Sequence, residues 1–103
     1  MLVAFSVAPT TTATEDGSLS EAVAAAVRVV RDSGLPYRLG SMFTEVEGEW
    51  DEVMDVVRRA TEAVLPFAPR VGLVLKADIR PGHDGMLTGK VERVEERLRG
   101  DAF

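Results

Sequence analysis

The stretch with the most chemical potential is Ser41-Met42-Phe43-Thr44-Glu45-Val46-Glu47-Gly48-Glu49-Trp50. In an extended chain alternate side chains share a face, so Glu45 and Glu47 point the same way, with Trp50 close behind in sequence. Carboxylates beside aromatic surface favour a flat, cationic ligand. Hydroxyls such as those of Ser41 and Thr44 suit the polar edge of such a ring, and Met42, Phe43 and Trp50 suit its faces. A partly exposed ion pair contributes only about 0–1 kcal/mol, and a cation over an aromatic ring about 0.5–2 kcal/mol. Micromolar binding requires about 8 kcal/mol. Charge alone does not reach that, so a ligand would also need an enclosed apolar slot. The plainer reading of the same residues is a solvated strand in which Glu47 pairs with Arg38.

Other chemistries find less support. His83 is the only histidine and there is no cysteine, so a zinc site has too few ligands, and His83 reads as a residue of an exposed Pro-Gly turn. No serine has a histidine at a suggestive position, which leaves a hydrolase triad unsupported. Neither GxGxxG nor GxxxxGK[ST] occurs. An acylphosphatase-like site resembles an Arg-plus-Asn pair, and the chain has no Asn. Twelve basic against seventeen acidic residues leave a net charge of −5, lacking the basic footprint that a phosphate backbone demands. No apolar run approaches the roughly 20 residues of a membrane span, and Met1–Ala8 has no basic flank or cleavage pattern. With 103 residues, 46% hydrophobic and 28% charged, the expectation is one cytoplasmic domain spanning residues 1–103 with a single modest core.

The elements that position these groups follow from periodicity. Leu2–Pro9 alternates, with Val3, Phe5 and Val7 on one face, and Thr10–Gly17 has the character of a loop. Ser18-Leu19-Ser20-Glu21 has capping-box spacing ahead of a helix whose stripe is Leu19, Val23, Ala26, Val27 and Val30. Gly34 stops that helix and Pro36 keeps it stopped. A two-residue turn at Met42-Phe43 pairs Ser41 with Thr44, Gly40 with Glu45, Leu39 with Val46 and Arg38 with Glu47. Glu49–Glu52 opens a second helix with acidic residues at its positive end, its stripe being Val53, Val57, Ala60 and Val64, and Pro66 ends it. Val71–Arg80 is a long strand, Pro81–Gly85 a turn, and Leu87, Val91, Val94 and Leu98 line a short third helix. The order β-α-β-β-α-β-α predicts an α+β, ferredoxin-like βαββαβ sandwich: a four-stranded antiparallel sheet, two helices on one face, and an extra C-terminal helix. The second face, with Leu2, Ala4, Ser6 and Val74 among charges of both signs, suits a subunit interface, a ligand site or both.

The segment from Gly40 to Met54, above all Glu47-Gly48-Glu49-Trp50-Asp51-Glu52, resembles the YkoF-like thiamine-binding proteins. Ser33-Gly34-Leu35-Pro36-Tyr37, Lys76-Ala77-Asp78-Ile79-Arg80 and Thr88-Gly89-Lys90-Val91 extend the resemblance over nearly the whole chain. Phe43 departs from the glycine usual in that family. The resemblance implies a ferredoxin-like fold, a homo-oligomer (usually a tetramer), and binding of thiamine or its hydroxymethylpyrimidine part without catalysis or a separate cofactor. The expected site is Thr10, Ser41, Met42, Phe43, Thr44, Glu45, Glu47 and Trp50. Glu45 is the leading carboxylate, because Arg38 is expected opposite Glu47, and Thr10 closes one end. The alternative is a ligand-free oligomeric interaction module whose open face only builds the assembly.

Overall fold

The computed structural model describes residues 1–10 and 16–101. Its elements are β1 (Leu2–Pro9), α1 (Asp16–Asp32), β2 (Tyr37–Leu39), β3 (Thr44–Glu47), α2 (Trp50–Val64), a 3₁₀ turn (Leu65–Phe67), β4 (Val71–Asp78) and α3 (Met86–Gly100). The sheet order is β2-β3-β1-β4, and every neighbouring pair is antiparallel. With α1 and α2 packed on one face, this is the expected ferredoxin-like arrangement. Most of the expected Thr10–Gly17 loop lies outside the described residues.

The predicted alternation holds in β1: Val3 and Phe5 are buried beneath the helices, and Val46 of β3 joins them. From α2 come Val53, Val56, Val57, Ala60 and Val64, all buried. The largest fully buried side chains are all valines; their branching at Cβ leaves few rotamers to lose on packing.

Three local expectations are corrected. First, α1 begins at Asp16, so Ser18 lies within its first turn rather than at its cap. Second, α1 presents Ala22, Ala26 and Val30 to the core, whereas Val23 is 43% exposed. The small alanines let the helix lie close to its neighbours, and the rotation turns Val23 outward; Leu19 is among the side chains not described. Third, the β2–β3 pairs are Tyr37 with Val46, Arg38 with Glu45, and Leu39 with Thr44.

That register is two residues away from the predicted one and leaves a four-residue loop, Gly40–Phe43, closed by the Gly40 N–H donating to the Phe43 carbonyl at 2.9 Å. A two-residue primed turn would need positive φ at Met42 or Phe43, and no non-glycine residue described has it. The longer loop removes that strain. An even shift keeps every side chain on its predicted face, but it gives Arg38 a new partner, Glu45, and separates it from Glu47.

β4 ends at Asp78, two residues short of the predicted strand. At its far side Gly82 and Gly85 adopt positive φ, 81° and 66°, and turn the chain into α3. Only the start of α3 is seated: Met86 and Leu87 are buried with Leu2 on the sheet face opposite α1 and α2. Val91, Val94 and Leu98 are exposed, so the predicted stripe exists but most of it is uncovered. The Cα radius of gyration, 15.8 Å, exceeds the roughly 13 Å of a compact chain this long, in keeping with a helix α3 that buries only its first two residues.

Candidate functional site

The sequence-predicted site residues fall into two groups at opposite ends of β3. At its start, Ser41, Met42, Phe43 and Thr44 line a cavity of about 250 Å³ together with the second half of β1 and with Val23, Ala26, Val27 and Val30 of α1. Here the rotation of α1 has a use: Val23 and Val27, turned away from the core, become part of the cavity wall. Ser41 and Thr44 are hydroxyl-bearing residues of this lining, whereas Ser6 of β1 borders it from the strand face that alternates away from the helices. The loop above is held tight, since a Cβ on Gly40 would stand 2.6 Å from the Phe43 carbonyl oxygen. Met42, 79% exposed, lies at the rim.

Thr10 lies near this end, but its hydroxyl donates to the Arg70 carbonyl at 2.6 Å, which fastens the end of β1 to the start of β4. Glu45 is half-buried on the face opposite α1 and α2, with Arg38 as its cross-strand neighbour.

At the other end of β3, Glu47 and Trp50 border a wider groove of about 820 Å³ shared with the Pro81–Gly85 turn, including His83. Three residue steps of strand, roughly 10 Å, separate Glu47 from Thr44. Proximity in sequence therefore does not bring Trp50 to the Ser41–Thr44 cavity. Trp50 is 55% exposed at the first turn of α2, where the Glu49 N–H donates to the Glu52 carboxylate at 3.1 Å.

Glu47 has a task that sequence reasoning did not identify. It is buried, and its carboxylate accepts the backbone N–H groups of Met86 at 2.8 Å and Leu87 at 3.2 Å. The cap residue of α3, Gly85, has no side chain to satisfy these free donors, so a strand glutamate 39 positions upstream does so. Negative charge there also complements the helix dipole. The one available signal in the sequence was a helix starting after glycine with no acceptor of its own. Farther along α3, Lys90 reaches back to Asp78 at 2.7 Å, and this holds the Asp78 carboxyl below the usual range. Among the described residues no group of three or more His, Cys, Asp or Glu could hold a metal ion, and no helix is long and apolar enough to cross a membrane.

Fold and cavity together define a small ferredoxin-like domain with a mostly apolar slot between its first helix and the β2–β3 hairpin. The chain belongs to the thiamine-binding protein family, whose model matches residues 3–95. A UPF0045 protein of Mycobacterium bovis is 52% identical over 99 residues, covering 95% of this chain and 94% of that one. A UPF0045 protein of Methanothermobacter thermautotrophicus is 42% identical over 83 residues, 79% of this chain and 84% of that one. Two solved structures share the fold. A domain of unknown function from Bacillus cereus superposes with a TM-score of 0.76 at 35% identity, covering 87% of this chain and 85% of that one. A Thermotoga maritima protein provisionally assigned to thiamine biosynthesis or salvage gives 0.74 at 30% identity, covering 89% of this chain and 96% of that one.

Proposed function

We propose that the protein binds thiamine or its hydroxymethylpyrimidine part without catalysing its conversion, and does so as a homo-oligomer. The observation that carries the ligand reading is the cavity beneath the Gly40–Phe43 loop, in a chain of the thiamine-binding family. At about 250 Å³ it lies just below the 300–1,000 Å³ typical of drug-sized pockets, so it suits one ring rather than two. The pyrimidine would occupy the slot, between Phe43 and the valines of α1, with Ser41 and Thr44 among the polar residues around it. The thiazolium would remain at the mouth, where the net charge of −5 favours a cation. Calorimetric titration of thiamine and of hydroxymethylpyrimidine into wild type and Phe43→Ala tests this. Both ligands should bind wild type, and the variant should lose at least about tenfold in affinity through the missing wall. Equal heats for the two proteins would remove the cavity from the reading.

The assembly reading rests on what α3 leaves bare. Val91, Val94 and Leu98, together with Val74 on the uncovered sheet face, are exposed apolar residues in a chain that has few reasons to wet them. This same observation favours the second reading, a module that only self-associates. Light scattering of wild type and Val94→Glu, with and without thiamine, separates the two. An oligomer dissolved by Val94→Glu but indifferent to thiamine supports the module; thiamine stabilisation supports the ligand reading.

A further inference from the structure

The wall of the cavity includes a stretch of sheet edge, and its hydrogen-bonding groups can be assigned. In an antiparallel ladder, pairs that exchange both backbone hydrogen bonds alternate with pairs that exchange none. Met1 and Gly48 exchange both: the Met1 N–H donates to the Gly48 carbonyl at 2.9 Å, and the Gly48 N–H to the Met1 carbonyl at 3.1 Å. With the observed register, Val3–Val46 and Phe5–Thr44 are therefore the next bonded pairs. Odd residues of β1 direct both peptide groups towards β3, and even residues direct theirs towards β4. The far end agrees, since the Thr10 N–H donates to the Arg70 carbonyl at 2.8 Å in continuation of the β1–β4 ladder.

The next odd residue is Val7, and the ladder partner that its register would give it is Met42. The β1–β3 pairing stops at Phe5–Thr44, because residues 40–43 have already turned away into the loop. Among the described residues no backbone group bonds Val7 on that side. Its N–H and C=O point in the plane of the sheet into the cavity, which Val7 lines. Two residues on, Pro9 offers a carbonyl but no N–H, so Val7 supplies the edge's last donor and acceptor on one residue. Among the described residues both groups are thus left to be paired by water or by whatever enters the cavity.

We propose that the Val7 peptide edge is the recognition element of the cavity, reading a flat heterocycle that carries an amino group beside a ring nitrogen. The Val7 N–H donates to the ring nitrogen and the amino group donates to the Val7 carbonyl, so the ligand takes the place of the strand that the loop withholds. The aminopyrimidine of thiamine has this edge, and the inference rests on the ligand reading given above. Specificity then lies in the backbone, with Phe43, Val23 and Val27 only enclosing the ring, and no residue type at position 7 announces it.

The test uses the full chain with thiamine and its 4-oxo analogue, in which the ring nitrogen becomes a donor and the neighbouring substituent an acceptor. Both hydrogen bonds are reversed while shape and thiazolium charge are kept. Thiamine should bind at least about a hundredfold more tightly than the analogue, because a site built to pair a polar edge strongly rejects the mispaired one. Hydrogen exchange of the Val7 amide, followed by NMR on wild type, should slow at least about tenfold in the thiamine complex. Val7→Pro removes the donor without touching the β1–β4 bonds, and should weaken thiamine at least about tenfold; if that variant does not fold, the wild-type exchange measurement decides. Thiamine and analogue binding alike, or a Val7 amide unprotected in the complex, overturns the Val7 assignment and leaves the ligand reading standing. Failure of both compounds to bind overturns the ligand reading, and the assignment falls with it.

Discussion

Replacing Glu47 probes the contact on which the seating of α3 depends. A hydrogen bond to a charged group contributes about 1.5–3 kcal/mol net. The Glu47 carboxylate makes two such bonds, at 2.8 and 3.2 Å. Sharing one carboxylate makes them less than additive, so about 3 kcal/mol is the working figure for Glu47→Ala. The loss should fall on α3 rather than on the whole domain, because beyond Leu87 the helix buries no residue and is otherwise tied down only by the exposed Lys90–Asp78 pair. Three kcal/mol corresponds to about a hundredfold change in an opening equilibrium. Native-state hydrogen exchange should therefore show α3 amides about a hundredfold less protected in Glu47→Ala, with Val53–Val57 of α2 little changed. Glu47→Gln keeps one acceptor oxygen and loses the charge, and should fall between, at about tenfold. Protection of α3 within twofold of wild type in Glu47→Ala would refute the reasoning. So would a parallel loss across α2, which would make the cap a support of the entire fold.

Three further outcomes are expected. Gly40→Ala places a methyl group 2.6 Å from the Phe43 carbonyl oxygen and should cost about 1–3 kcal/mol by denaturant titration while opening the cavity. Gly89→Ala, with nothing within 4 Å of its new Cβ, should instead stabilise α3 by up to about 1 kcal/mol. The Asp55 carboxyl is held below its ordinary value by hydrogen bonds from Arg58 and then Arg59. A depressed folded-state value means that the stabilisation is present above the unfolded carboxylate range, near pH 4, and is lost as pH falls through the folded value. Asp55→Asn should thus flatten the acid limb of stability between about pH 2 and 4; an unchanged limb in urea titrations across that range removes Asp55 from the acid response.

The periodic elements were legible in the sequence because burial in this fold is one-sided. Alternation in β1 and the hydrophobic stripe of α2 each identified the correct face. The hairpin was legible in its faces but not in its length, since shifting a strand by two residues leaves the alternation unchanged, and only the φ demands at Met42 and Phe43 distinguish the loops. Val23 was misplaced because a hydrophobic stripe weighs valine over alanine, whereas close helix packing selects the smaller side chain. The site was harder still. Ser41–Thr44 and Trp50 are neighbours in the chain, but β3 carries them to opposite ends of the sheet. The partners of Glu47 are the backbone of residues 39 and 40 positions downstream, and the groups offered by Val7 carry no side-chain signature. Interactions made by the main chain, or across such distances, leave almost no mark on local pattern.

The cap on α3 also imposes an order on assembly. Glu47 reaches its place only when β3 has paired with β1, so during folding the C-terminal helix lacks its buried cap until that long-range part of the sheet has formed. α3 is accordingly expected to lock late in folding and to loosen early on heating. Its grip serves as a readout of whether the strands beneath it are properly joined.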